Sequence, residues 1–264
     1  MFAFTEVNIR PLLLGAGLVF FLILELSVRY RISSVSKLKR WLNNLGLTIF
    51  NSIILNLLFS ALIIATAVYT QTHKMGILNM FNAPGWLKIL ITVVVMDFIL
   101  YIWHLLNHEV PFLWRFHRVH HSDLNMDVST ATRFHIGELT ISAIIKISLI
   151  YFLGASPIGV LIFESAIVLC AQFHHSSLIV PVWFEKIWWT LFAPPSMHRI
   201  HHSVVIKERD SNYAAIFSLW DRFLGTLTKN VDQNNINIGV GAYRKPEKLN
   251  LHQLLLMPFT NPIK

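Results

Sequence analysis

Residues 97–122, DFILYIWHLLNHEVPFLWRFHRVHHS, carry an apolar segment directly into a run of histidines. The apolar part belongs to a longer run over about 86–106, enough for a helix to cross a hydrocarbon layer roughly 30 Å thick. On that helix His104 and His108 stand four residues apart, so both imidazoles leave one face a turn apart and can reach a single ion. Asp97 lies two turns earlier on nearly the same face. It is placed to accept the free ring N–H of a ligating histidine and is the expected catalytic carboxylate. Beyond Pro111, His117, His120 and His121 form an HxxHH whose spacings of three and four again predict one shared helical face. The expected fold class is all-α: a polytopic membrane helix bundle with a cytoplasmic histidine-rich helical cap.

Composition agrees with a membrane setting. Of 264 residues, 54% are hydrophobic and 14% charged, too apolar for an ordinary soluble domain. Further apolar runs cover 11–28 and about 45–70. Arg29, Arg31, Lys37, Lys39 and Arg40 follow the first run, whereas a cleaved signal peptide carries its charge before the apolar part, so a retained helix is expected. Between the second and third runs Lys74 is the only Lys or Arg. The positive-inside rule then places 29–44 in the cytoplasm and returns the chain there after about residue 106. The expectation is an integral, multi-pass membrane protein with its active site on the cytoplasmic side. A fourth apolar region, about 139–173, breaks at Gly154-Ala155-Ser156-Pro157 into two arms of about 15–17 residues, a hairpin that dips into the bilayer or barely crosses it. The net charge of +8 fits basic residues flanking membrane helices, and no nucleic-acid partner is expected. Cys170 is the only cysteine, which excludes a disulfide framework and a thiolate cluster.

Twelve of the thirteen histidines fall between His73 and His202. A second HxxHH stands in PPSMHRIHH at 194–202, with His198, His201 and His202, two prolines fixing the entry and Ser196 as the expected N-cap. The hairpin starts at Arg133-Phe134-His135 and ends at Gln172-Phe173-His174-His175. His175 is an expected ligand, with His135 and His174 as further candidates; His73 and His252 are expected to be ordinary. Eight to eleven neutral nitrogens exceed the four to six positions of one first-row ion, so two metals are implied. Histidine-only ligation suits zinc, copper, nickel or iron, and spacing does not choose among them.

These groups resemble the fatty acid hydroxylase/sterol desaturase superfamily of histidine-box membrane di-iron proteins. The resemblance rests on His104-x3-His108, His117-x2-His120-His121, Gln172–His175 and His198-x2-His201-His202, with the flanks Ser211-Asn212-Tyr213 and Trp220–Thr226, over roughly residues 90–226. Leu105 departs from it where many relatives have Arg, and His174 is an added histidine. The resemblance implies two iron ions, O2 as co-substrate, and attack on a C–H bond of a lipid, by hydroxylation or desaturation. Family members modify sterols, sphingolipid acyl chains, carotenoids and alkylglycerols.

The expected organisation is N-terminal membrane helices over 1–85, a catalytic domain over 86–226 and a cytoplasmic tail over 227–264. The rival from another class is a membrane metal-ion transporter, which would want ligands near the bilayer midplane rather than at helix ends. Hydroxylation needs two electrons that the substrate does not give, and no nucleotide fingerprint or iron–sulfur motif stands in the sequence. An external donor is therefore expected, a ferredoxin or a cytochrome b5-like protein with its reductase. Arg115, Arg118, Arg199, Lys207 and Arg209 form a basic surface to dock an acidic carrier or, equally, to meet anionic lipid headgroups.

Overall fold

Prolines and glycines set the ends of the helices. The computed structural model describes residues 2–59 and 62–261, and among them no strand forms. Helix α1 (Phe2–Ser27) leads through the basic linker to α2 (Lys37–Phe59) and α3 (Leu62–Thr72). Then come α4 (Gly85–Glu109) and, after a break at Val110, α5 (Pro111–His121), where Pro111 takes the first helical position and its missing N–H is no loss. Helices α6 (Ile136–Leu153) and α7 (Pro157–His175) make the expected hairpin. Short helices α8 (Val182–Trp188), α9 (Pro195–His201), α10 (Ile206–Arg209), α11 (Leu219–Phe223) and α12 (Leu251–Leu256) complete the cap.

Four apolar helical spans are long enough to cross a membrane, namely α2 taken with α3, then 85–109, 136–153 and 157–175, and 11–27 is a shorter apolar helix. The hairpin arms, of 18 and 19 residues, exceed the expected 15–17 because Ile136–Glu138 and His174–His175 stay helical at the cap end. Each arm is thus long enough to cross. Leu12, Val19, Leu57, Phe152 and Ile158 are exposed along these helices, as side chains facing lipid are. Inside, Met96 of α4, Ile150 of α6 and Val160 and Phe163 of α7 pack into one cluster, held by close contact because lipid tails are as apolar as the side chains themselves.

The two ends of the bundle differ. At one end Gly154 closes α6 at φ +68°, and a Cβ there would lie 2.2 Å from the Met75 carbonyl oxygen, so only glycine fits. Asn79 Nδ2 donates to the Gly154 carbonyl at 3.1 Å, sealing the 73–79 turn onto the hairpin tip. At the other end the basic linker docks on the cap. Arg40 donates to Asp123 and Asp127 at 2.7 Å, and Arg31 Nη1 donates to the Ile236 carbonyl at 2.7 Å. The buried Glu25 carboxylate accepts from the backbone N–H groups of Val128 at 2.8 Å and Ser177 at 2.9 Å. The segment after 227, read from sequence as a tail, is packed on this end: Ile236 and Ile238 lie against Ile200, and Leu254 and Met257 against Leu47 and Val119.

Candidate metal centre

Nine buried or half-buried histidines converge where α4, α5, α7 and α9 meet. They form two groups: His104, His108, His117, His121 and His201 in one, and His120, His175, His198 and His202 in the other. Within each group the candidate ligand atoms all lie within 4.8 Å of one another. Each HxxHH box is divided between them. In α5 the i,i+4 pair His117 and His121 serves the first group and His120 the second; in α9 the pair His198 and His202 serves the second and His201 the first. The sequence expectation of one shared face for each box is therefore corrected. At 3.6 residues per turn, neighbours such as His120 and His121 point about 100° apart, while i and i+4 differ by only about 40°. The boxes thus interleave, and the His121 and His202 rings stack across the boundary at 4.4 Å.

The outer nitrogens reveal which atom faces inward. The Nδ1–H of His104 donates to the Tyr213 carbonyl at 2.7 Å, that of His117 to Glu138 at 2.8 Å, that of His108 to Asp210 at 3.1 Å and that of His201 to the Ser211 carbonyl at 2.7 Å. In the second group the Nδ1–H of His175 donates to the Ala171 carbonyl at 2.7 Å. A neutral imidazole carries one ring proton, so each of these five presents a bare lone pair at Nε2. The Nε2 atoms of His108 and His201 are buried and meet no hydrogen-bond partner. Burial, reinforced by neighbouring imidazoles, holds His120, His121, His198, His201 and His202 well below the ordinary histidine value, so they are neutral and ligand-competent. Buried imidazoles converging with five Nε2 lone pairs turned inward are the donor set a metal ion requires.

Five sequence expectations change here. Asp97 holds no histidine: its carboxylate accepts from Ile216 N at 3.2 Å, Phe217 N at 3.1 Å and Trp220 Nε1 at 2.8 Å, fastening the 216–220 segment to α4. His135 stands outside both groups, where its Nδ1 accepts from Gly137 N at 3.0 Å as the N-cap of α6. Ser196 is not the cap of α9; Pro194 is, and Ser196 Oγ instead accepts from Trp189 Nε1 at 3.1 Å. Of the expected docking cations, Arg118, Arg199 and Arg209 are buried. Arg209 donates to Asp210 at 3.0 Å and lies over the Trp114 ring at 4.3 Å, while Arg199 lies over Tyr30 at 3.6 Å. His174 falls beside the second group without joining it, its ring 4.0 Å from that of His198 and its buried Nδ1 unpartnered. Asp221 accepts from Tyr213 N at 2.8 Å, Ala214 N at 2.9 Å and Thr226 Oγ1 at 2.6 Å, so it sets the loop whose carbonyl meets His104. Glu138 was missed; its signal is a carboxylate in the first turn of an otherwise apolar helix.

An all-helical chain with membrane-length helices and two adjoining, buried, all-histidine groups defines a class of membrane metalloprotein. This chain belongs to the fatty acid hydroxylase family, whose profile matches residues 89–226, just over half of it. It is 32% identical to the ornithine lipid hydroxylase of Rhizobium tropici over 162 residues, covering 60% of this chain and 46% of the relative. It is 29% identical to human cholesterol 25-hydroxylase over 142 residues, covering 53% and 50%, and 30% identical to human alkylglycerol monooxygenase over 139 residues, covering 50% and 28%. The chain thus spans about half the length of the first of these relatives. No solved structure matches it.

Proposed function

We propose that this protein is an O2-dependent membrane lipid hydroxylase that carries two iron ions, one in each histidine group, with residues 86–226 as its catalytic unit. The observation that carries this reading is the meeting of nine buried or half-buried imidazoles in two groups, five of which hold the Nδ1 proton on an outer acceptor and so turn Nε2 inward. His104, His108, His117, His121 and His201 would hold one iron, and His120, His175, His198 and His202 the other. The family and three relatives named as lipid hydroxylases or a monooxygenase support oxygen insertion over desaturation. Bound there, iron supplies the activation of O2. The chain's own residues hold the Nδ1 protons of His104, His108, His117, His175 and His201 on fixed acceptors and aim their Nε2 inward, and burial keeps rings such as His201 neutral.

The balanced reaction is R–H + O2 + 2 electrons + 2 protons giving R–OH + H2O, so an external carrier of the ferredoxin or cytochrome b5 kind supplies the electrons. Placement in the cytoplasm is supported by the linker: Arg31 and Arg40 dock on the cap, so the positive-inside rule that holds the linker in the cytoplasm holds the cap there too. The collection of the histidines at one end of the helices favours a resident centre over an ion path.

The test compares lipid extracts of cells with and without the protein, grown under 18O2, together with the metal content of the purified chain. One labelled oxygen in a lipid and about two irons per chain are expected. A loss of two hydrogens without oxygen would make it a desaturase, and metal uptake that follows the protein with no lipid change would make it a transporter.

A further inference from the structure

The two histidine groups are built unequally. In the group of five, four outer nitrogens are held by acceptors from other parts of the chain: Tyr213 and Ser211 carbonyls, and the Glu138 and Asp210 carboxylates. Only His121 Nδ1 lacks a partner. In the group of four, His175 alone is held, by the carbonyl four residues earlier in its own helix. The Nδ1 atoms of His120, His198 and His202 are buried and meet no partner, and so is that of the adjoining His174. Among the described residues no carboxylate bonds to a histidine of this second group. Asp123, whose charge reaches His175 and His202, is taken up by Arg40.

Acceptors on the far nitrogen fix a ligand's tautomer and orientation, raise its basicity, and, as carboxylates, add negative charge that a divalent ion needs. Losing one such partner typically lowers metal affinity 10- to 100-fold. In the second group each unheld ring must bury an N–H without a partner and can turn over, so part of the binding free energy goes into ordering ligands.

We infer that the group of five is the tight, first-filled metal site, that the group of four binds its ion at least ten-fold more weakly, and that Glu138 and Asp210 are the positioning residues that set this order. The inference rests on the proposed metal centre. The tight ion is then the resident one. The second is the ion lost first on dilution or chelation.

The full chain, purified in detergent and stripped by a chelator, is given Co2+ stepwise while bound metal is counted by equilibrium dialysis and histidine ligation is followed by ligand-field absorption. Two classes of site are expected, separated ten-fold or more in affinity. His198→Ala should remove the weak class and keep the tight one at about one ion per chain. Glu138→Gln and Asp210→Asn should each weaken the tight class 10- to 100-fold and close the gap. If Glu138→Gln fails to fold, Asp210→Asn carries the test, because Asp210 is partly exposed. Two equal classes in the unaltered protein would overturn the inference while leaving the metal centre standing, as would loss of the tight class in His198→Ala, or a tight class untouched by Asp210→Asn. No cobalt bound at all would sink the metal centre and this inference together.

Discussion

The Nε2 atoms of His104 and His117 approach to 3.1 Å although the outer nitrogen of each ring already gives its proton away, to the Tyr213 carbonyl and to Glu138. Two facing lone pairs at that distance repel, and a cation between them turns the repulsion into two bonds. His117→Ala should therefore lower bound metal by about one ion per chain and abolish lipid hydroxylation. His135→Ala, which removes the α6 cap and the Nε2 contact to the Leu255 carbonyl at 3.1 Å, should keep full metal content and cost about 0.5–2 kcal/mol of stability for the lost cap alone. Metal analysis beside thermal unfolding separates the two; metal loss in the His135 variant would return that residue to the ligand set.

The same burial predicts a pH dependence for the metal-free protein. His120, His121, His198, His201 and His202 are held well below the ordinary value of 6.5, first by desolvation and then by neighbouring imidazoles. Between the lowered folded value and 6.5 the unfolded chain binds more protons, so stability is full above pH 6.5 and falls as pH drops below it. Each such ring contributes up to about 1.4 kcal/mol per pH unit. Chelated protein should melt progressively earlier from pH 7 to pH 5, and metal-loaded protein less so. A flat profile would mean that the rings are wetter than their burial implies.

The histidine boxes and the apolar runs were legible in the sequence because both are short-range, periodic patterns. The Gly154–Pro157 break was legible for the same reason, a backbone signal read locally. What could not be read was the partition of each box. His120 and His121 differ only in which neighbouring helix they meet, and that is decided by packing between α5, α7 and α9. The acceptors at Tyr213 and Ser211 are backbone carbonyls, which carry no sequence signature at all. Asp97 misled for a related reason: its spacing from His104 fits a shared face, but the N–H groups of residues 216 and 217 and the Trp220 ring reach it first.

Arg40 should prove more costly to remove than any single apolar residue around it. It is buried between Asp123 and Asp127, and without it two carboxylates remain in the interior facing one another's charge. Breaking a buried pair from one side costs about 3–5 kcal/mol. Arg40→Met should lower the melting temperature and loosen metal retention, since Asp123 and Thr130 lie on the segment that follows α5. Adding Asp123→Asn and Asp127→Asn should restore part of the loss. A triple variant no better than Arg40→Met would show that the guanidinium acts by packing and not by charge.

At the opposite end Gly154→Ala should destabilise by at least the roughly 1–2 kcal/mol that an L-residue pays for a left-handed conformation, because its Cβ also meets the Met75 backbone. Metal content measured on the folded fraction should not change. Gly15→Ala, whose Cβ would meet nothing within 4 Å, should be neutral or slightly stabilising. Equal effects of the two substitutions would mean that the hairpin tip is not sealed in the membrane-embedded protein.

The proposed cytoplasmic placement of the centre rests on two contacts and one rule, and so can be tested without an activity assay. Arg31 and Arg40 bond to the cap, so the linker and the histidines share one end of the bundle. Gly154 seals the 73–79 turn at the other end. Five basic residues stand at 29–40 against Lys74 alone in the second loop, and translocation retains the basic loop in the cytoplasm. A reporter fused after residue 75 should read outside, and reporters after 125 or 230 inside. Because truncated fusions remove later helices, the same positions should also be probed as single short tags in the full chain, by labelling in intact and in permeabilised cells. The tag after 75 should label in both and the tag after 230 only after permeabilisation. If the tag after 230 labels in intact cells and the tag after 75 only after permeabilisation, the cap faces outward, and an electron carrier in the cytoplasm could not reach the centre.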